Sequence, residues 1–400
     1  MKSKLLVSAT VAGLLAAFVM PVRTPAQEEP TGQAQKADAA RYIVKDLGPV
    51  SGPFSEAYLV RENGLVSGAA AYPDGTLHAV VWRRGLLKDI SQPGLGGPNS
   101  AAFSVNERGF AVGQAETSDA NEEDFCGFNF FGFPSLTACV PFLWEGGAMT
   151  RLPTLGGVNG FANSINSRAE VAGLAENTMT DPTPGCPVNQ FKPVIWTNGV
   201  IKELPTYPGD PDGVAAFIND KGQVVGASGT CTTFNPNSGL YLVEDHALLW
   251  ENGSVKDLGN LGGAGGIAGN HACAINNRGQ IVGHSELADD TTFHAFLWTR
   301  ETKMQDLGTL PGDYASLAIG INDEGAVVGA SLDANFDLRA IVWKNGVMTD
   351  LNTLIPPDAP LQLQAGYSIN GAGEIVGLAL EKSTGDVHAF LAIPVRPGSR

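Results

Sequence analysis

One pattern of four short apolar segments is written seven times in this 400-residue chain, and the copies are out of phase with its ends. A copy reads as an apolar segment ending in Asn, a turn, a segment carrying Gly, a variable gap, a segment ending in Trp, a turn, and a segment ending in Asp-Leu. The chain opens on the last of these pieces, Tyr42–Gly48, and closes on the third, His388–Ile393. A rod of stacked modules has no use for that offset. A ring does, because the spare strand at the start fills the vacancy at the end and removes the seam where unpaired strand edges would lie.

The first turn begins at Asn106, Asn166, Asn219, Asn276, Asn322 and Asn370, with a weaker copy at Val60–Gly64. A second glycine follows each turn (Gly68, Gly113, Gly173, Gly226, Gly283, Gly329, Gly377), at separations of 45 to 60 residues. That period belongs to stacked supersecondary units such as propeller blades. Asn at the head of a turn accepts a hydrogen bond from the backbone two residues on. Gly at the fourth position supplies the positive φ that closes a type I turn into a hairpin. Ala169 stands there in the third copy. A left-handed backbone costs a residue with a Cβ about 1–2 kcal/mol, so a different turn is expected. The second glycine sits inside a strand, which it weakens unless something approaches closely; the expected intruder is the neighbouring module.

All six tryptophans (Trp82, Trp144, Trp196, Trp250, Trp298, Trp343) occupy one repeat position, and Ala392 takes it in the seventh copy. An aromatic placed once per module is a packing residue before it is a ligand platform. His78, His246, His294 and His388 open the same segment. A recurring position reads as structural, a hydrogen bond to a nearby loop, and four histidines spread over modules one, four, five and seven do not converge on a metal. His271 and His284 share module five without zinc spacing.

Each module therefore holds four short strands, with little helical periodicity. A lone sheet of this kind has two faces to bury, and radial stacking against its copies buries both. The expected fold is all-β: a seven-bladed β-propeller of four-stranded antiparallel blades over residues 42–394, closed by the N-terminal strand 42–48. Strands A to D run outward from the axis, by analogy with WD40 repeats.

Residues 1–26 read as a signal peptide: Lys2 and Lys4 precede an apolar stretch from Leu5 to Met20, with small residues before Gln27. Residues 27–41 read as a flexible leader and 395–400 as a tail. No later apolar run reaches the ~18 residues of a membrane span. The expectation is an exported soluble monomer, extracellular or periplasmic. Cleavage shifts the net charge from −16 to −19, which argues against a nucleic-acid partner, since that wants a basic stripe. Five cysteines in an exported chain suggest disulfides with one left over. Cys126 and Cys139 share one insertion and are the first choice for a bridge. Cys186 and Cys231 lie in adjacent insertions and are a second candidate pair. Cys273 falls in an A strand and reads as a buried free thiol.

The string His294-Ala295-Phe296-Leu297-Trp298, its partial copy His388–Leu391, the Asp-Leu-Gly-x-Leu-Gly-Gly at Asp257–Gly263 and the Ile-Asn-x-x-Gly-x-Val-x-Gly units resemble the HAF-repeat family of extracellular bacterial proteins. The likeness spans the chain after the leader, although the His-Ala-Phe triplet is intact only at these two places. It implies export and transfers no activity, catalytic residue or cofactor.

No nucleophile elbow and no phosphate loop is present. Gly262–Gly266 lacks the strand-to-helix context of a phosphate loop. Acidic residues such as Glu122, Glu123, Asp124, Asp210, Asp212, Asp289 and Asp290 read as surface solvation, since nothing in sequence marks them as buried or paired. Asp333-Ala334-Asn335-Phe336-Asp337 alternates oxygen ligands but lacks the rest of a calcium loop. No metal site or cofactor is expected, with a structural calcium ion left open.

The unequal parts carry the functional signal. The gap between strands B and C is long in blades two, three and four (117–139, 176–191, 229–245) and short in the others. These insertions share one face of the ring. The first holds Phe125, Phe128, Phe130, Phe131 and Phe133, the third Phe234 and Tyr241. Such aromatics either bury under their own loop or form an exposed patch. The leading expectation is a non-catalytic module binding a protein or polysaccharide through this face. The alternatives are an extracellular hydrolase or lyase with carboxylates above the channel, and a structural envelope protein.

Overall fold

The computed structural model describes residues 41–395 except 49, 51, 122–125, 127, 129–132, 134–136, 184–188, 232–241, 264–268 and 289–290. The described residues form seven four-stranded antiparallel sheets. Blade one is β2 (Ser55–Val60), β3 (Leu65–Ala71), β4 (Leu77–Arg83) and β5 (Leu86–Asp89); blade two is β6 (Gly96–Val105), β7 (Ala111–Ala120), β8 (Thr137–Glu145) and β9 (Ala148–Arg151). Blade three is β10 (Gly160–Ile165), β11 (Val171–Thr180), β12 (Asn189–Thr197) and β13 (Val200–Glu203); blade four is β14 (Asp212–Ile218), β15 (Val224–Cys231), β16 (Leu242–Glu251) and β17 (Ser254–Asp257). Blade five is β18 (Asn270–Ile275), β19 (Ile281–Glu286), β20 (Phe293–Thr299) and β21 (Lys303–Asp306); blade six is β22 (Ala315–Ile321), β23 (Val327–Leu332), β24 (Leu338–Lys344) and β25 (Val347–Asp350). Blade seven takes β26 (Leu361–Ile369), β27 (Ile375–Glu381) and β28 (Val387–Pro394) from the end of the chain and β1 (Tyr42–Asp46) from its start.

The ring is closed. β1 pairs antiparallel with β28 from Tyr42↔Pro394 to Asp46↔Phe390. First strands touch their neighbours all the way round, β26 meeting β2. They are therefore the inner strands, and the seven-bladed propeller is the fold.

The tryptophans sit between blades. The indole N–H of Trp82, Trp196 and Trp250 donates to the carbonyls of Leu47, Pro153 and Pro205, at 3.3, 2.8 and 2.6 Å. Each acceptor follows the outer strand of the preceding blade. Lys88 and Lys256, on such outer strands, lie 4.6 and 4.5 Å from the ring centroids of Trp144 and Trp298, a cation–π contact. The outer strand of one blade thus covers the tryptophan of the next.

The Asn turns do more than turn. Asn219 Oδ1 accepts from the N–H groups of Lys221 and Gln223, both at 3.0 Å. Its amide Nδ2 then reaches the next blade and donates to the Asn276 carbonyl at 2.9 Å. The same cross-blade bond runs from Asn106 to Asn166, Asn166 to Asn219, Asn276 to Asn322, Asn322 to Asn370, and Asn370 to Arg61. Arg61, not Asn63, stands at the turn head of blade one: its N–H donates to Leu65 O and its carbonyl accepts from Gly64. The Arg61 guanidinium donates to the carbonyls of Val105 in blade two and Ile165 in blade three. It ties blade one to the next two blades and completes the circuit.

Two expectations need correction. Ala169 keeps the common turn, donating to the Asn166 carbonyl at 3.0 Å with φ of +62°; the ladder bonds of Asn166 hold it there against the left-handed cost. The strand glycines are not cleared for the neighbouring blade. A Cβ on Gly68, Gly113, Gly226 or Gly283 would overlap a carbonyl oxygen of the inner strand of its own blade. The cause is a β-bulge beside it in every inner strand, for example between Ala272 and Ala274 opposite Gly283 and Val282.

Candidate functional site

Antiparallel meanders put the B–C and D–A connections on one face of the ring and the Asn turns on the other. On the first face the B–C hairpins of blades two to four stand up. β7 and β8 run on to Ala120↔Thr137, β11 and β12 to Thr180↔Asn189, and β15 and β16 to Cys231↔Leu242. The strand ends Ser118–Ala120 and Thr178–Thr180 are exposed, Met179 at 61 %.

Phe128 and Phe133, 1 % and 7 % exposed, lie in the main hydrophobic core. The Phe133 ring meets Phe54 of blade one edge to face at 6.0 Å. Cys126 and Cys139 are joined in a disulfide, and Gln114 Nε2 donates to the Cys126 carbonyl at 3.0 Å. These contacts clamp the blade-two insertion onto the ring, so these two aromatics hold the loop down and do not face a partner. Phe125, Phe130, Phe131, Phe234, Tyr241 and Cys186 lie outside the described residues, as does the Cys231 side chain. Cys273 is buried in β18, its Sγ 3.9 Å from His284 Nδ1.

The recurring histidines, in blades one, four, five and seven, mostly pair with the Asp of the Asp-Leu strand. His78, His294 and His388 Nδ1 lie 2.7, 2.9 and 2.9 Å from Asp89, Asp306 and Asp46. Burial alone would raise Asp89, but bonds from His78 and Ser91 pull its carboxyl down to about 2. Blade four breaks the rule, since His246 Nδ1 pairs with Asp210 at 2.9 Å. Burial and the Asp210 charge push the neighbouring Asp245 up to about 6.

Several carboxyl groups are thus buried and paired, contrary to the solvation expected for Asp210 and Asp212. Glu116 accepts from Asn99 of β6, and Glu176 from Val158 and Asn159 just before β10. Burial, with the Asp181 carboxyl beside it, raises Asp212 to about 8. Glu56 sits at the inner end of blade one between Tyr58 and Tyr367. Burial raises it to about 7, against hydrogen bonds from both tyrosines. Nothing in sequence separates these buried acids from the exposed ones; only the equal spacing of Glu116 and Glu176 from their strand glycines was a signal. Asp333 Oδ1 closes its own turn, accepting from Asn335 and Asp337 N–H groups. Among the described residues no cluster of three or more His, Cys, Asp or Glu side chains has metal-binding geometry, and no helix is long and apolar enough to cross a membrane.

No family profile and no curated protein matches the chain. Solved structures similar to it include an oligogalacturonate lyase in complex with manganese, 12 % identical over 90 % of this chain and 97 % of that one, with a TM-score of 0.48. TolB from Acinetobacter baumannii is 11 % identical over 85 % and 64 %, at 0.38. A mutant Aleuria aurantia lectin in complex with Fucα1-6GlcNAc is 10 % identical over 86 % and 97 %, at 0.36.

Proposed function

We propose that this is an exported, non-catalytic propeller of the HAF-repeat type that binds a protein or polysaccharide through the face bearing the raised hairpins of blades two to four. The observation that carries this reading is the contiguity of those hairpins. Three adjacent blades extend past the ring on one side, on a scaffold locked by the Asn ladder, and one insertion is fixed by a disulfide and two core aromatics. Rigid scaffolds with elaborated connections on one face are where recognition concentrates. Export is supported by the signal-like N-terminus and by the disulfide, a bond that persists in oxidising compartments. The reading invokes no cofactor, membrane span or nucleic acid.

A hydrolase or lyase would need a carboxyl pair open to substrate. Glu56 and Asp212 are each 1 % exposed, and Asp210 is held by His246 and Ser228. Their closure favours binding over catalysis.

The test is a pull-down and glycan-array screen with the chain from Gln27 onward. Removing 117–139 whole would cut into β7 and β8 and take Cys139 from the core. The better variant replaces 121–136 by a short turn, beside a Met179→Asp variant that leaves the fold untouched. Loss of a captured ligand in both, with native tryptophan fluorescence and a single cooperative thermal transition retained, supports the reading. Binding unchanged in both, or turnover of an arrayed glycan, overturns it.

A further inference from the structure

Seven residues before the turn asparagine, blades two and three carry an asparagine that fastens each blade to the one before it. Asn99 Oδ1 accepts from Leu77 N–H of blade one at 2.9 Å, while its Nδ2 donates to Glu116 Oε2 at 3.0 Å. Asn159 Oδ1 accepts from Cys139 N–H of blade two at 3.2 Å, and its Nδ2 donates to Glu176 Oε2 at 3.4 Å. Blade four has Asp212 at this position. Its Oδ1 accepts from Phe191 N–H of blade three at 2.8 Å, repeating the first bond. The second bond cannot be repeated by an ionised carboxylate, because it needs a donor. The place of the glutamate in blade four is Gly229, and the carboxyl beside Asp212 is instead that of Asp181, on the raised hairpin of blade three.

Asp181 Oδ1 accepts from Thr183 N–H at 2.7 Å, and its Oδ2 is buried with no hydrogen-bond partner among the described residues, an acceptor that a proton on Asp212 would satisfy. Asp181 and Asp212 are 5 % and 1 % exposed. Two negative carboxylates in contact at that burial repel and lose their hydration together; one shared proton removes both penalties. The surrounding charges do not remove the need for it. Lys192 on β12 draws on the pair but donates to the Pro211 carbonyl. Asp210 is engaged by His246 and Ser228. Glu176 on β11 is turned to Val158 and Asn159.

We propose that Asp212 is a neutral carboxylic acid taking the part of the asparagine of blades two and three, that its proton latches the raised hairpin of blade three to blade four, and that alkaline pH releases the latch. The latch stands whether or not the hairpin face recognises a ligand; only its consequence for binding rests on that reading.

The experiment needs no ligand. Hydrogen exchange of residues 177–191, corrected for the intrinsic pH dependence, is followed from pH 6 to 10 in the native chain and in Asp212→Asn, with residues 283–296 of blade five as an internal control. Infrared spectra at pH 6 are compared for the same two proteins. The expected native result is protection of 177–191 that falls by about tenfold per pH unit once the shared proton is lost, while the control segment stays level. Asp212→Asn should keep protection throughout, because an amide supplies the donor at every pH, and should lack one protonated-carboxyl band. Native protection that tracks the control, an equal fall in Asp212→Asn, or an unchanged carboxyl band would each overturn the proposal.

Discussion

Replacing Asn219 separates the two roles of the ladder asparagines. Asn219 is 4 % exposed. Its Oδ1 accepts from Lys221 and Gln223 N–H groups at 3.0 Å, and its Nδ2 donates to Gln223 Oε1 and the Asn276 carbonyl at 2.9 Å. Asn219→Ala deletes all four bonds. At about 0.5–1.5 kcal/mol each, with solvent recovering part of the exposed side of the turn, the loss is about 2–4 kcal/mol. Asn219→Asp keeps both accepted bonds. Gln223 Nε2 already donates to Glu251 Oε2 at 3.0 Å, so its amide is held as it stands, and both Gln223 Oε1 and the Asn276 carbonyl face an anion. The aspartate variant should therefore lose about 1–3 kcal/mol, shared between the bond to Gln223 and the bond between blades. Guanidinium unfolding followed by tryptophan fluorescence reads both, since the tryptophans lie at blade junctions. If Asn219→Asp unfolds at the native midpoint, the turn alone explains the asparagine and the ladder contributes nothing.

Ala169→Gly should stabilise the protein by about 1 kcal/mol, because φ of +62° strains a residue with a Cβ; a lower thermal midpoint would contradict the assigned turn. Gly283→Ala should cost more than about 3 kcal/mol or prevent folding, because the new methyl meets the His271 carbonyl and the bulge leaves no slack; near-native stability would mean that the bulge is absent. Glu56 is raised by burial to about 7. Between the ordinary carboxylate range and pH 7 the folded protein keeps a proton that the unfolded chain has released. Its contribution thus worsens as pH rises through that window, by about 1.4 kcal/mol per unit. Glu56→Gln should be the more stable protein above pH 7 and lose its advantage near pH 4; parallel midpoint curves would refute this.

The architecture was legible because repetition amplifies weak signals. One Asn turn says little, and six at one phase, with six tryptophans at another, leave room only for a radial stack. The offset Tyr42–Gly48 strand named its own partner, β28. The contacts that span blades were less visible. An asparagine that caps a turn and one that also bonds the next blade look identical in sequence, because the partner is a carbonyl that any residue carries. The bulges were hidden for a similar reason, since the glycines betrayed a close approach but not from which strand. The histidine–aspartate pairs could have been found, because a two-residue hairpin brings His78 near Asp89. The switch to Asp210 in blade four could not, as Asp257 stands at the regular place. The aromatic richness of the blade-two insertion was evident, and Phe128 and Phe133 turned inward because the mouth beside Phe54 offered them apolar cover.

Arg61 stands in the first blade, next to the sheet assembled from both chain ends. The circle is consequently fastened in two adjoining sectors, by backbone pairing at the rim of blade seven and by a guanidinium that ties blade one to blades two and three at the hub. Only the rim fastening depends on where the polypeptide starts. Joining the native ends and opening the chain between two other blades would relocate that backbone clasp, while the hub would stay shut at its original position.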